Sequence, residues 1–257
     1  MTSAIAVRFM RVEAVAPLRI AMWSGPRNIS TAMMRAFENR PDCAVSDEPF
    51  YAHYLAATGI DHPMREAVMA AQPTDWRQVV VQVTGPAPGG APLWYQKHMT
   101  HHMIPAVGRD WFPEVAHAFL IRDPRAMAAS YAAKREGATA ADLGAQLQGE
   151  LYDEVVARTG REPPVIDAAD VLADPERMLA LLCAALGIAF DPAMLSWPAG
   201  RRESDGIWGE HWYASVWASS GFRAPAAQDI ALTPELEAVA ASCMPFYERL
   251  HGRRLGR

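Results

Sequence analysis

Cysteine is scarce in this sequence: Cys43, Cys183 and Cys243 are the whole complement. An odd count, wide spacing and no CxxC pair exclude a disulfide framework and a structural zinc site, and they point to a reducing compartment, the cytoplasm. Any stretch of about 20 apolar residues is missing too, so no membrane span is expected. The N-terminal MTSAIAVRFMRVEAVAP is mildly apolar but broken by Arg8, Arg11 and Glu13, and it lacks a signal-peptide core. Residues 1–17 read as an extension, with Met1 and Met10 both open as the start. A basic excess is also absent. The net charge of -5 argues against a general binder of nucleic acid or acidic membrane. There is no repeat at solenoid periods and no low-complexity tract. The GxxxxGK[ST] loop of ordinary ATPases and GTPases is lacking as well.

What is present is organised around LRIAMWSGPRNISTAMMRAF, Leu18 to Phe37. Leu18–Trp23 is an apolar run of strand length, broken by Ser24-Gly25-Pro26. After Arg27, Asn28 and Ile29, Ser30 and Thr31 stand before a stretch of good helix formers. The unit is strand, tight loop, helix. Free backbone N–H groups at a helix start make an anion site, and Arg27 adds a planar fork of donors suited to phosphate or sulfate. A plain helix cap is the competing reading of Ser30 and Thr31.

Further strands are expected at Cys43–Ser46, Leu93–Gln96, Ala116–Ile121 and Val165–Ile166, and helices over Trp76–Val83, from Asp123-Pro124, around Leu143, Leu147 and Leu151, and from Asp174-Pro175. The length, 257 residues, fits one α/β domain. Glu48 follows the second strand, where a general base could sit, or a surface carboxylate. Lys97 and His98 end the third, followed by His101 and His102. The histidine spacing lacks a carboxylate ligand pattern, so no metal is expected. Arg122 ends the fourth strand, and Ser130 lies about two turns into the next helix. A phosphate could sit between them. Residues 197–225 mix Trp197, Trp208, Trp212, Trp217, Tyr213 and Phe222 with Arg201 and Arg202, and read as a long lid-like loop with one short helix. A final amphipathic helix from Leu236 to Leu250 contains Pro245, expected to kink it.

With these stretches in hand, the chain resembles the sulfotransferases that use 3′-phosphoadenosine 5′-phosphosulfate (PAPS). Pro26-Arg27-Asn28-Ile29-Ser30-Thr31 falls in register with that family's P-K-x-G-T-T loop, with Arg for Lys and Ile29 in place of glycine. FLIRDPRAMAASY matches the strand ending R-[DN]-P with a serine in the following helix. VIDAADVLADPERMLALLCAALGIAFDP is similar to a third segment that includes Asp170 and Asp174. In place of the family's K-T-H stands Lys97-His98-Met99, and Ala168 replaces a common aromatic residue. SGPRNIST, SDEPFY, QKHMTHH and DGIWGEHWY look like a divergent subgroup, some of whose members carry aminotransferase-like names through fusion. Nothing in this chain contains an aminotransferase domain.

The resemblance implies a three-layer P-loop NTPase-like α/β fold, a central parallel sheet flanked by helices. It implies PAPS as co-substrate, with Arg27, Asn28, Ser30 and Thr31 on its 5′-phosphosulfate and Arg122 and Ser130 on its 3′-phosphate. Arg201 and Arg202 would substitute for a terminal basic loop that is absent. Lys97 would neutralise the leaving oxygen, and His98 or Glu48 would be the base. The acceptor, a small molecule with a hydroxyl or amine, would meet Glu48–Tyr54, the histidines and the aromatic segment. Two rivals stand beside this reading: a module that binds adenosine bisphosphate without catalysis, and a kinase with a degenerate phosphate loop.

Overall fold

The computed structural model describes residues 16–132, 138–223 and 232–257. The two candidate start residues, and most of the N-terminal extension, lie outside the described residues. Five strands form one sheet: β1 Leu18–Ser24, β2 Cys43–Asp47, β3 Leu93–Met99, β4 Ala116–Ile121 and β5 Val165–Asp167. Their order is β2-β3-β1-β4-β5, and every neighbouring pair is parallel. Parallel strands need crossovers, and helices supply them: α1 Ser30–Glu38, α2 Tyr51–Thr58, α3 Arg65–Ala71, α4 Trp76–Thr84, α5 Pro124–Ala132, α6 Ala140–Leu143 and α7 Ala145–Thr159. After the last strand come α8 Ala168–Ala173 and α9 Pro175–Ala185. Short α10 Gly209–Trp212 and α11 Ala214–Trp217 precede the long α12 Pro234–His251. The fold is the P-loop-like α/β arrangement, a parallel sheet between helical layers.

Alternation along β1 separates the two layers. Ile20 and Met22 join Met33, Met34 and Phe37 of α1 and Leu179 and Leu182 of α9 in one core. Ala21 and Trp23 join Val79 and Val83 of α4, and Leu151 and Val155 of α7, in the other. Phe37 is fully buried and stacks on Tyr95 of β3, ring centroids 4.4 Å apart.

The expected elements are found, with corrections at their edges. β3 runs on through Met99, so Lys97 and His98 lie inside the strand rather than past its end. Gly144, at φ 68°, divides the Leu143–Leu151 region into α6 and α7. Residues 197–223 hold two short helices instead of one. Pro245 sits inside α12 without ending it. Asp123 caps α5 as its position suggests, accepting from the backbone N–H groups of Arg125 and Ala126. At the β1–α1 turn, a Cβ on Gly25 would lie 2.8 Å from both the Leu143 carbonyl oxygen and Met127 Cε, so only glycine admits that approach.

The core assignment predicts that Phe37→Ala lowers stability by about 3–5 kcal/mol, the cost of a large buried ring lost to a cavity. Urea unfolding followed by circular dichroism measures it. A loss below about 1 kcal/mol would show that α1 is not packed as described.

Candidate active site

The carboxyl ends of β1 and β4 meet where the strand order reverses, the usual place for ligands in open α/β sheets. A cavity of about 420 Å³ opens there. One end is cationic. The Arg27 Nε donates to Ser130 Oγ and to the Ser130 carbonyl oxygen, both at 3.2 Å, and Arg122 Nη1 donates to the Arg27 carbonyl oxygen at 2.6 Å. Neither guanidinium lies within ion-pair distance of a carboxylate among the described residues. Burial lowers the pKa of both, and Arg27 adds to the effect on Arg122. Two half-buried, unneutralised cations are costly unless an anion joins them.

Beside them, α1 begins at Ser30 with no side-chain cap and no acid in its first turn. Its first N–H groups have no intrahelical acceptor and its dipole favours negative charge. The competing reading of Ser30 and Thr31 as caps is not what the geometry shows. Both are buried and line the cavity. Asn28 also lines it, but its side chain is spent on the loop: Nδ2 donates to the Leu120 carbonyl oxygen and Oδ1 accepts from the Ile29 N–H. Arg27 and Glu48 are two of the few non-glycine residues at positive φ, 54° and 43°. Such backbone is held only where surrounding structure over-determines it.

At the centre lies a buried ionic network. Lys97 Nζ donates to Asp47 Oδ1 at 2.8 Å, Glu48 Oε1 at 2.5 Å and Tyr213 OH at 2.9 Å. An ammonium has three N–H donors, so all are engaged and none is left for a leaving oxygen. Burial opposes its charge, but Asp47 and Glu48 outweigh that and hold the Lys97 pKa well above its ordinary value. Burial raises the Glu48 pKa, with Lys97 pulling against it and Asp47 reinforcing it. Sequence reasoning gave Asp47 no role and placed Tyr213 only in the aromatic segment. Asp47 was visible as the acid next to Glu48, whereas nothing local tied Tyr213 to Lys97 and Asp47.

The structure does not bring His98 into the cavity. Neighbours in a strand face opposite sides of the sheet, so Lys97 and His98 cannot both face one site, as residues two apart in K-T-H can. His98 instead packs against Trp23 at 4.6 Å, near Phe50 and Trp111. Burial drops its pKa to about 3. The short turn after β3 brings His102 to the cavity, with Nε2 at 3.9 Å from Glu48 Oε2 and its ring between those of Tyr51 and Tyr54. Arg201 and Arg202 do not reach the cavity either. Arg201 pairs with Glu210 at 2.9 Å on the surface, and Arg202 donates to the Pro198 carbonyl oxygen.

The far end of the cavity is aromatic. Tyr51 meets Trp208 edge to face at 5.1 Å, and Trp212 stacks on His62 at 5.7 Å. Two buried carboxylates fasten this segment. Asp205 takes Arg35 Nη2 at 2.5 and 2.6 Å and Trp217 Nε1 at 2.9 Å, while Asp47 takes Tyr213 OH and the Gly206 N–H. Among the described residues no cluster of three or more metal-ligating side chains occurs, and no helix is long and apolar enough to cross a membrane.

A parallel α/β sheet with an uncapped helix start at its switch point is a P-loop-like fold. The sulfotransferase domain profile matches residues 18–254, and the chain belongs to that family. It is 31% identical over 231 residues to branched-chain-amino-acid aminotransferase-like protein 2 of Arabidopsis thaliana, covering 90% of this chain and 41% of that protein. To branched-chain-amino-acid aminotransferase-like protein 1 of the same plant it is 35% identical, covering 81% and 37%. The chain thus spans about two-fifths of the length of the curated relatives it matches. The fold is also that of the sulfotransferase domain from the curacin biosynthetic pathway, at TM-score 0.53, 15% identity and coverage of 89% and 98%. A sulfotransferase from Alicyclobacillus acidocaldarius matches at TM-score 0.51, 15% identity and coverage of 93% and 96%.

Burial holds the pKa of His98 near 3 and of His101 and His117 near 4, and that of His102 well below normal. Each is neutral when folded and protonates more readily when unfolded. Their contribution is full above about pH 6.5 and is lost as pH falls toward the folded values. Glu48 and Asp167, raised by burial, act in the opposite sense but are outnumbered. The urea midpoint is therefore expected to fall between pH 7 and pH 5. An unchanged or rising midpoint would mean that these imidazoles are charged in the fold.

Proposed function

We propose that the chain is a sulfotransferase that moves a sulfuryl group from PAPS to a hydroxyl or amine of a small-molecule acceptor. The observation that carries this reading is the convergence, in one cavity, of the unneutralised Arg27–Arg122–Ser130 cluster, the uncapped start of α1 and the buried Glu48. Those groups fit a donor with two anionic ends. Arg122 and Ser130 suit the 3′-phosphate, the N–H and hydroxyl groups of Ser30 and Thr31 suit the 5′-phosphosulfate, and Arg27 spans the two. The donor supplies an electrophilic sulfur and a phosphate leaving group.

Everything else falls to the protein. Glu48 takes the acceptor's proton as its oxygen or nitrogen forms the new bond to sulfur, and the sulfur–oxygen bond to the donor phosphate breaks. A carboxylate raised toward working pH by burial is suited to that task. Negative charge on the departing phosphate is met by Arg27 and the α1 N-terminus, fixed donors that need no reorganisation. The aromatic end, with Tyr51 and Trp212, excludes water and offers faces to an acceptor body. The network around Lys97 favours a second reading, because a lysine with every donor spent cannot assist a leaving oxygen. In that reading the chain binds adenosine 3′,5′-bisphosphate and transfers nothing.

Calorimetric titration separates these from a kinase. Adenosine 3′,5′-bisphosphate is expected to bind at least tenfold more tightly than ATP, and Arg122→Ala to erase the difference. Equal affinity would overturn the assignment of the 3′-phosphate site. With PAPS and a panel of alcohols and amines, Arg27→Ala is expected to lower turnover about 100- to 1000-fold, and Glu48→Gln about 100-fold or more. Tight dinucleotide binding without transfer to any acceptor would establish the binding module instead.

A further inference from the structure

We infer that Asp47 and Tyr213 are positioning residues for Glu48, both acting through the shared Lys97 and Asp47 also by direct charge repulsion, so that docking of the aromatic segment and the charge on the base are linked. The inference rests on the reading of Glu48 as the base. Tyr213 OH makes the bonds a phenol can make: it donates to Asp47 at 2.7 Å, and accepts from Lys97 Nζ at 2.9 Å and Trp208 Nε1 at 3.0 Å. Asp47 also accepts from the Gly206 N–H at 3.0 Å. Both side chains of the Lys97–Asp47 pair are within 2% of full burial. The same cation that binds Glu48 is therefore bound by the aromatic segment, and no member of the set can move without leaving a buried polar group unpaired.

Four groups face Glu48: Lys97 from β3, Asp47 from β2, His102 from the turn after β3, and Tyr213 from the segment. Asp47 does two things to it. Its charge repels that of Glu48 directly, and it shares the ammonium that would otherwise favour the ionised form. Both raise the proton affinity of Glu48. The arrangement is suited to a base that must remain proton-accepting near neutrality while buried beside a lysine, and it gives Lys97 a task other than contact with the leaving group.

The full chain, carrying carboxyl-labelled glutamate, reports this without an acceptor. The Glu48 carbon resonance is assigned by its loss in Glu48→Gln and followed against pH. Asp47→Asn removes the like charge and frees Lys97 for Glu48, so the titration midpoint is expected to fall by about one pH unit or more. An unmoved or higher midpoint in a folded Asp47→Asn protein overturns the inference. Tyr213→Phe keeps the ring and removes the link, and amide hydrogen exchange over residues 206–217 is expected to quicken at least tenfold. Unchanged exchange there overturns the linkage even if Asp47→Asn does not fold. Loss of the base assignment would show separately, as full turnover in Glu48→Gln.

Discussion

The buried ammonium of Lys97 is the constraint on which the site depends. An unpaired charge at this depth would cost several kcal/mol, so the fold must bring compensation to it. Asp47 is brought by the parallel register of β2 on β3, in which the two residues are direct partners. Glu48 arrives because the chain turns at positive φ just beyond β2, its N–H still donating to the Lys97 carbonyl oxygen at 2.9 Å. Tyr213 comes from more than a hundred residues away. One cation thus sets the strand ends, the strained turn and the seat of the aromatic segment together.

The cationic end follows the opposite logic. Arg27 and Arg122 have no carboxylate within pairing distance among the described residues, and Arg122 spends a donor on the Arg27 backbone. Lys97 is neutralised by the protein itself, while the arginines have no such partner among the described residues. That contrast divides the cavity between a buried charge network and a cationic end. The second ion pair, Arg35 with Asp205, belongs with the former: both side chains are almost wholly buried, and they tie the aromatic segment to α1.

Much of the fold was legible because its signals are local. The apolar run Leu18–Trp23, the break at Gly25-Pro26 and the helix formers after Ser30 give strand, turn and helix wherever they fold. Asp123-Pro124 starts α5 through a cap that needs only its own neighbours. Local spacing also held the clue against His98, since adjacent strand residues face opposite ways. The end of β3 was misjudged because polar Lys97 and His98 look like a loop. Both are buried within the strand, each with its own partners on its own face. The aromatic segment was illegible in detail because its helices, α10 and α11, are single turns held by distant carboxylates.

By itself the sequence determined the order of strands and helices, the strand–turn–helix unit over Leu18–Phe37, and the presence of an arginine and a serine two turns apart after β4. Hydrogen bonding and side-chain periodicity act over a few residues and need nothing more. Only the tertiary structure decided which charges are satisfied internally and which stand open. It put Arg201 and Arg202 on the surface, His98 in a core, and Asp47, Lys97 and Tyr213 in one contact. Those outcomes depend on desolvation and on pairing between residues up to 166 positions apart, a quantity that no local pattern encodes.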